Sequence, residues 1–178
     1  MFAVRLFVIA LCCVAIAAGA HAETIFYSGK FSGANESPPV NSPGTGTVWL
    51  TYSNVDLMLR IQTIFSGLAA NDTVAHIHCC TSIGQPTAPV ATMTPTFAGF
   101  PIGVTAGNYD QTFDMSQASS YNASFITANG GSVDSARAVL LAGLANGTAY
   151  FNIHSTSSPS GEIRAPLALD RIFGNGFD

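Results

Sequence analysis

Residues 148–154 read TAYFNIH, and apolar and polar side chains alternate along this stretch. Polar groups occur at Tyr150, Asn152 and His154, and apolar side chains stand between them. Successive side chains of a β-strand point to opposite faces of a sheet. The alternation therefore predicts a strand with one face in a core and another face that carries the three polar groups.

The same period of two residues recurs along the chain, and Gly- and Pro-rich turns separate its occurrences. One segment has helical spacing instead: apolar residues recur every three or four positions from Val133 to Leu144, after a suitable N-cap at Ser132. Many short strands and one short helix predict an all-β sandwich or barrel. The predicted strands are 25–33, 47–52, 57–65, 73–78, 109–115, 148–154 and 162–169.

The composition fits one globular domain and excludes one class of function. The chain has 178 residues, of which 48% are hydrophobic and only 9% are charged, against about a quarter charged in an ordinary domain. It has 6 Lys and Arg against 10 Asp and Glu, with no basic cluster. Nucleic-acid binding needs a basic surface, so we exclude a nucleic-acid partner.

Residues 1–22 have the features of a secretory signal peptide. Arg5 supplies a positive charge, residues 6–18 are apolar, and Ala20-His21-Ala22 fits the small-x-small cleavage pattern. The apolar run is shorter than the roughly 20 residues of a membrane span. We expect cleavage before Glu23 and a secreted or periplasmic protein with no membrane segment. An uncleaved anchor is the alternative.

Cleavage would leave three histidines in the mature chain, all in predicted strands. His76 and His78 are two residues apart, so their rings share one face of the sheet. If their strand and that of His154 face each other across the sandwich, three neutral imidazoles can bind one ion. Such a set suits copper or zinc better than magnesium or calcium. The alternative is that each histidine is hydrogen-bonded within the core.

Cys79 and Cys80 directly follow His78 and would be the only cysteines of the mature chain. Three outcomes are open for a secreted protein: a vicinal disulfide, a free pair that binds a soft metal, or an intermolecular disulfide. We predict the vicinal disulfide, which would stiffen the turn after His78.

Several motifs resemble those of the CHRD domain, which is named after chordin and is common in secreted bacterial proteins. The resemblance covers about residues 24–168, and we predict a domain at 23–168 with a C-terminal tail at 169–178. It implies an immunoglobulin-like, Greek-key β-sandwich with distant similarity to copper/zinc superoxide dismutase. The motifs are Val74-Ala-His-Ile-His78, Phe100-Pro-Ile-Gly103, residues 109–114 and 122–131, Ala149-Tyr-Phe-Asn-Ile-His-Ser-Thr156 and Ser160-Gly-Glu-Ile-Arg-Ala165.

The dismutase resemblance implies roles for four residues. His76 and His78 match a copper-binding His-x-His pair, and His154 matches a later copper-binding histidine. Arg164 resembles the arginine that attracts superoxide, so the resemblance makes it a catalytic residue. The sequence lacks a bridging histidine, a zinc-binding cluster and two distant cysteines, which favours copper over zinc. The alternative for Arg164 is an exposed strand position or an ion pair with Glu162.

These observations predict a secreted copper-binding protein, and the resemblance implies superoxide, or another small anion, as a substrate. Whether the chain is an enzyme stays open at this point. Two alternatives remain: a non-enzymatic extracellular module that binds a protein or matrix partner, and a protein that stores or delivers copper. The sequence identifies neither a protein partner nor an oligomeric state.

Overall fold

The computed structural model describes residues 23–82 and 84–170. Within these ranges eight strands form one antiparallel sheet that curls on itself. The predicted all-β, sandwich-like fold is confirmed. The strands are β1 (Thr24–Ser32), β2 (Thr45–Ser53), β3 (Met58–Ser66), β4 (Asp72–His78), β5 (Gly107–Asp114), β6 (Tyr150–Ser155), β7 (Ile163–Pro166) and β8 (Ala168–Leu169). Their order is β4-β6-β7-β1-β2-β3-β5, and β8 pairs with β1.

The core lies between the inward faces of the curled sheet, where the alternating apolar residues meet. Phe151 of β6 is fully buried and lies at the centre of an aromatic cluster. Its ring centroid is 5.4 Å from that of Phe31 and 5.3 Å from that of Phe97. Phe97 and Phe100 belong to the irregular segment between β4 and β5, so this packing fixes that segment against the sheet.

The predicted helix is confirmed as α2 (Val133–Ala145). Ser132 caps its start by accepting a hydrogen bond from the Ser135 backbone N–H, and Leu140 and Leu144 lie on its buried face. A shorter helix, α1 (Ala123–Ala128), precedes it and was not predicted. Its six residues are too few to reveal a helical period, and Phe125 is its only buried side chain.

The predicted strand 162–169 is divided into β7 and β8. The chain changes partner here, because β7 pairs with β6 as far as Pro166 whereas β8 pairs with β1. Pro166 has no backbone N–H to donate, and Leu167 N–H donates to Ala149 O in register with β6. The predicted tail overlaps β8 at Leu169. Residues 171–178 and the predicted signal peptide at 1–22 lie outside the described residues. None of the described helices is long and apolar enough to cross a membrane.

The predicted vicinal disulfide is confirmed, and it packs against α2. Cys79 and Cys80 are bonded to each other, and both sulfurs lie next to Gly143 in the last turn of α2. A methyl group at Gly143 would overlap both sulfur atoms. A glycine interrupts this good helix-forming sequence because nothing larger fits beneath the disulfide.

Gly143→Ala is expected to destabilise the protein by about 1–3 kcal/mol, the usual cost of overpacking a core. On an open helix surface the same change would instead add up to about 1 kcal/mol. Urea unfolding measures the difference. The control places Gly143→Ala in a Cys79→Ser/Cys80→Ser background, where the smaller oxygen atoms should reduce the cost. An unchanged or higher stability of Gly143→Ala alone would contradict this account of the packing.

Candidate metal centre

The three histidines lie on one face of two adjacent strands. The expectation that their strands face each other across the sandwich is wrong, because β4 and β6 are hydrogen-bonded neighbours. His76 is paired with Asn152, His78 with Tyr150, and His154 with Val74. Residues paired directly across antiparallel strands point to the same face. The pairing of β4 with β6 therefore brings all three imidazoles to the same face of one sheet, rather than across the sandwich.

The rings are close enough to share an ion. Ring centroids are 5.9 Å apart for His76 and His78, 5.5 Å for His76 and His154, and 6.0 Å for His78 and His154. One ligand nitrogen from each ring lies within 4.8 Å of the other two. The cluster can therefore hold a metal ion after small side-chain adjustments, since metal–nitrogen bonds of about 2 Å require nitrogens slightly closer together.

Each imidazole is held by one backbone carbonyl. His76 Nε2 lies 2.6 Å from Pro95 O, His78 Nδ1 lies 2.8 Å from Ala88 O, and His154 Nδ1 lies 3.0 Å from Pro159 O. A carbonyl oxygen only accepts hydrogen bonds, so the bonded ring nitrogen must carry the proton. In a neutral imidazole the opposite nitrogen then has a free lone pair, which is the form that binds metals.

The opposite nitrogens are the unusual feature of the site. His76 Nδ1, His78 Nε2 and His154 Nε2 are buried and have no hydrogen-bond partner among the described residues. A buried acceptor without a partner costs about 1–3 kcal/mol, and such atoms are rare in folded proteins. Three of them on adjacent rings form a donor set that one metal ion could bind.

Burial keeps the three rings neutral. It lowers the pKa of His76 and His154 and lowers that of His78 to about 4, whereas the carbonyl bonds oppose the shift. The positive charge of Arg164 further lowers the pKa of His78 and His154. At neutral pH all three imidazoles are therefore in the form that binds metals.

Acid is expected to destabilise the metal-free protein between pH 6.5 and about 4. The pKa of His78 is about 4 in the folded chain, against 6.5 as its ordinary value, so the unfolded chain binds the proton first as pH falls. Its contribution to stability is fully present above pH 6.5 and is lost toward pH 4. For His78 this contribution is about 3 kcal/mol.

Urea unfolding at pH 7 and pH 4.5 measures this loss, with His78→Phe as the matched control. The variant has no imidazole at this position and should lose less stability over the same range. The carboxylates titrate in both proteins, so their contribution to the loss of stability cancels when the two losses are compared. Equal losses in both would contradict the assignment of a buried neutral imidazole at His78.

The ring of His78 lies at one end of a stack of three side chains, formed by His78, Tyr150 and Arg164. Its ring is nearly parallel to that of Tyr150, with centroids 4.8 Å apart. The guanidinium carbon of Arg164 lies 4.0 Å from the centre of the Tyr150 ring on β6. Tyr150 Oη also accepts a hydrogen bond from Ala88 N at 3.2 Å, and Ala88 O is the carbonyl that holds His78. Tyr150 therefore fixes both the ring of His78 and its hydrogen-bond partner.

Arg164 lies close to the histidine cluster but is not exposed. Its side chain is 7% exposed, and it forms an ion pair with Glu36 Oε2 at 2.9 Å. A second group on the guanidinium, Nη1, donates to Pro86 O at 2.9 Å. The alternatives of an exposed arginine or a pair with Glu162 are wrong. Glu162 instead accepts hydrogen bonds from Ser42 Oγ and from the backbone of Ala69.

Glu36 was not identified from the sequence, and it forms a buried polar network with Asn152 and Arg164. Glu36 accepts hydrogen bonds from Arg164 Nε at 3.1 Å and from Asn152 Nδ2 at 3.3 Å. Burial raises the pKa of its carboxyl, and Arg164 opposes that shift. Glu36 lies in a loop 128 residues from Arg164, so no local pattern connects the two. The sequence does indicate that Asn152 is near the site, because it lies two residues before His154 and therefore on the same face of the strand.

The fold and site together define an all-β domain with a cluster of three histidines, of which His76 and His154 are buried and His78 is half-buried. Residues 27–167, well over half of the chain, match the CHRD domain. The chain therefore belongs to the CHRD domain family, as the motifs predicted. No curated protein and no solved structure matches it, and the similarity to copper/zinc superoxide dismutase stays a prediction.

Proposed function

We propose that the chain is an extracellular domain that binds one copper ion through His76, His78 and His154. The single observation that carries this proposal is the set of three buried ring nitrogens that have no hydrogen-bond partner in the described chain. One ion would satisfy all three at once. The opposite nitrogens are already fixed by carbonyls, so the site is organised before the ion arrives.

The donor set favours copper among the biological metals. Three imidazoles contain no carboxylate or thiolate, so they are poor ligands for magnesium and calcium. The sulfurs of Cys79 and Cys80 are bonded to each other and do not bind a metal in that state. Between copper and zinc, nitrogen ligands bind the divalent copper ion more tightly. We therefore propose copper as the physiological ion and zinc as the weaker competitor.

Secretion or export to the periplasm is part of the same proposal. A disulfide persists in oxidising compartments and is rare in the cytosol. CHRD domains are typically extracellular, and residues 1–22 have the composition of a signal peptide.

Superoxide dismutation is the second candidate function, and the position of Arg164 favours it. The guanidinium stacks on Tyr150, which stacks on His78, so a positive group lies one ring away from the metal ligands. Arg164 also lines a cavity of about 410 Å³ beside the site. Bound copper would supply one-electron exchange with superoxide, and Arg164 would attract the anion. Because Glu36 offsets the charge of Arg164, we expect this attraction to be weak.

Metal analysis after copper loading tests the proposal. The purified mature protein is incubated with excess copper, freed of unbound metal and analysed for copper and protein. We expect one copper ion per chain and less zinc after loading with both metals. A protein that retains no copper would support the non-enzymatic binding module instead.

Superoxide consumption by the copper-loaded protein then separates the enzyme from a storage or delivery protein. Arg164→Lys, which keeps the charge but loses the paired hydrogen bonds, is compared with Arg60→Lys, an exposed arginine paired with Asp110 on β5. Because lysine keeps the charge, lower activity of Arg164→Lys alone would support a role of the guanidinium hydrogen bonds in holding the anion, beyond attraction by charge. Full copper loading with no activity would leave storage or delivery as the function.

A further inference from the structure

The disulfide stands at the junction between the two strands that carry the histidines. Cys79 directly follows His78, the last residue of β4. The backbone of Thr81, the residue after Cys80, donates to Thr148 O at 2.9 Å. Thr148 lies two residues before β6, which carries Tyr150 and His154. The disulfide therefore directly follows β4. The residue after the disulfide is hydrogen-bonded to the segment that leads into β6.

One short segment holds both His78 and the disulfide. Ala88 O accepts the hydrogen bond of the His78 ring at 2.8 Å, and Pro89 O accepts one from Cys79 N at 3.0 Å. Val90 forms a β-bridge with His78. A displacement of Cys79 would therefore move the segment that orients the His78 ring, as well as the residue next to it.

The disulfide fits against α2 with no spare room. A methyl group at Gly143 would overlap both sulfurs, and both sulfurs face the carbonyl of Val139 at 3.7–3.9 Å. Two thiols occupy more space than one disulfide, because sulfur atoms that are not bonded cannot approach as closely. Gly143 O also accepts hydrogen bonds from Thr148 N and Ala149 N. A displacement of this turn of α2 would therefore also move the residues that lead into β6.

We propose that Cys79–Cys80 is a redox centre that accepts two electrons from a dithiol and thereby weakens metal binding at His78. The inference rests on the proposed metal site and adds its regulation. Reduction would separate the sulfurs against Gly143 and displace residues 79–80. The displacement would move the carbonyls of Ala88 and Pro89 with it, so His78 would lose its fixed orientation.

The reaction balances as an ordinary thiol–disulfide exchange. A thiolate of the dithiol attacks the sulfur of Cys80, which belongs to the half-buried residue of the pair, whereas Cys79 is only 1% exposed. The bond between the two cysteines breaks, and Cys79 leaves as a thiolate that takes up a proton. The second thiol of the reductant attacks the mixed disulfide and releases Cys80. The dithiol is oxidised to a disulfide, and two electrons and two protons reach the cysteine pair.

The first test asks whether the folded protein is reduced. Dithiothreitol is added to the full mature protein without denaturant, and free thiols are alkylated and counted by mass. We expect two alkylated cysteines while circular dichroism remains that of the folded protein. Reduction that occurs only in urea would overturn the proposal, because the disulfide would then be a fixed cross-link.

The second test asks whether reduction reaches the ligand strands. Hydrogen exchange of the metal-free protein is compared before and after reduction. We expect faster exchange in residues 76–80, 88–90 and 148–154, with no change in β2 and β3. No change in the ligand strands would overturn the proposal. Since this readout needs no metal, it stands even if the protein fails to bind copper, and the two proposals can fail separately.

The third test measures copper affinity without interfering thiols. Cys79→Val/Cys80→Val, whose unbonded methyl groups are about as large as thiol sulfurs and cannot form a disulfide, is compared with the oxidised protein by competition with a copper chelator. We expect a loss of about tenfold or more, the effect typical of disturbing the partner of a metal ligand. Leu59→Val is the matched control for lost stability, because it lies in β3, which pairs with neither ligand strand. Equal affinities of the valine variant and the oxidised protein would overturn the proposal.

Discussion

His154→Ala is expected to weaken copper binding by more than about 100-fold. His154 is the only one of the three ligands on β6, so its loss leaves the two histidines of β4. Disturbing a partner of a metal ligand typically costs 10–100-fold in affinity, and removing the ligand itself should cost more. Competition with a chelator of known affinity measures the change.

Two further variants separate the ligand from its surroundings. His154→Asn retains a side-chain N–H at the position of Nδ1, whose present partner is Pro159 O, but it supplies no imidazole. We expect it to bind copper as poorly as His154→Ala. Thr156→Ala, at an exposed position in the following turn, should bind copper normally. Normal binding by His154→Asn would contradict a role for this imidazole as a ligand.

Arg164→Met is expected to destabilise the fold by about 3–5 kcal/mol. The variant leaves the carboxylate of Glu36 without its ion-pair partner, although that side chain is only 2% exposed. Removing one member of a buried ion pair typically costs this much, because the remaining charge stays buried. The change also removes the cation above Tyr150 and the bond to Pro86 O. Urea unfolding at neutral pH measures the loss.

Glu36→Leu/Arg164→Met is the matched control for this prediction. Replacing both members of a buried pair by apolar residues is often neutral or stabilising, so the double variant should recover most of the lost stability. Asn152 would lose its bond to Glu36 in the double variant, which sets a small remaining cost. A double variant less stable than Arg164→Met would mean that the ion pair is not the source of the effect.

Local patterns in the sequence were sufficient to predict most strands, helix α2, and the shared face of His76 and His78. They also predicted the disulfide, since adjacent cysteines have few alternatives in a chain that is expected to be exported. The pairing of β4 with β6 could not be predicted in this way. It depends on which strands are neighbours, and that order is set by the packing of the whole core rather than by the residues of either strand.

The partners of the histidines were also beyond prediction from the sequence. Two of the three carbonyls, those of Ala88 and Pro95, belong to a segment that has no regular pattern. Any residue can supply a carbonyl, so its sequence carries no sign of this role. Glu36 was missed for a related reason: its ion pair with Arg164 joins a loop to a strand at the far end of the chain. Such contacts become visible only when the fold is known.

X-ray absorption at the copper edge of the loaded protein tests the central claim most directly, because it identifies the atoms bound to the ion. We predict three imidazole nitrogens at about 2 Å, with the multiple-scattering pattern of histidine rings and no sulfur neighbour. A spectrum with sulfur ligands, or with no imidazole scattering, would contradict a copper site formed by His76, His78 and His154.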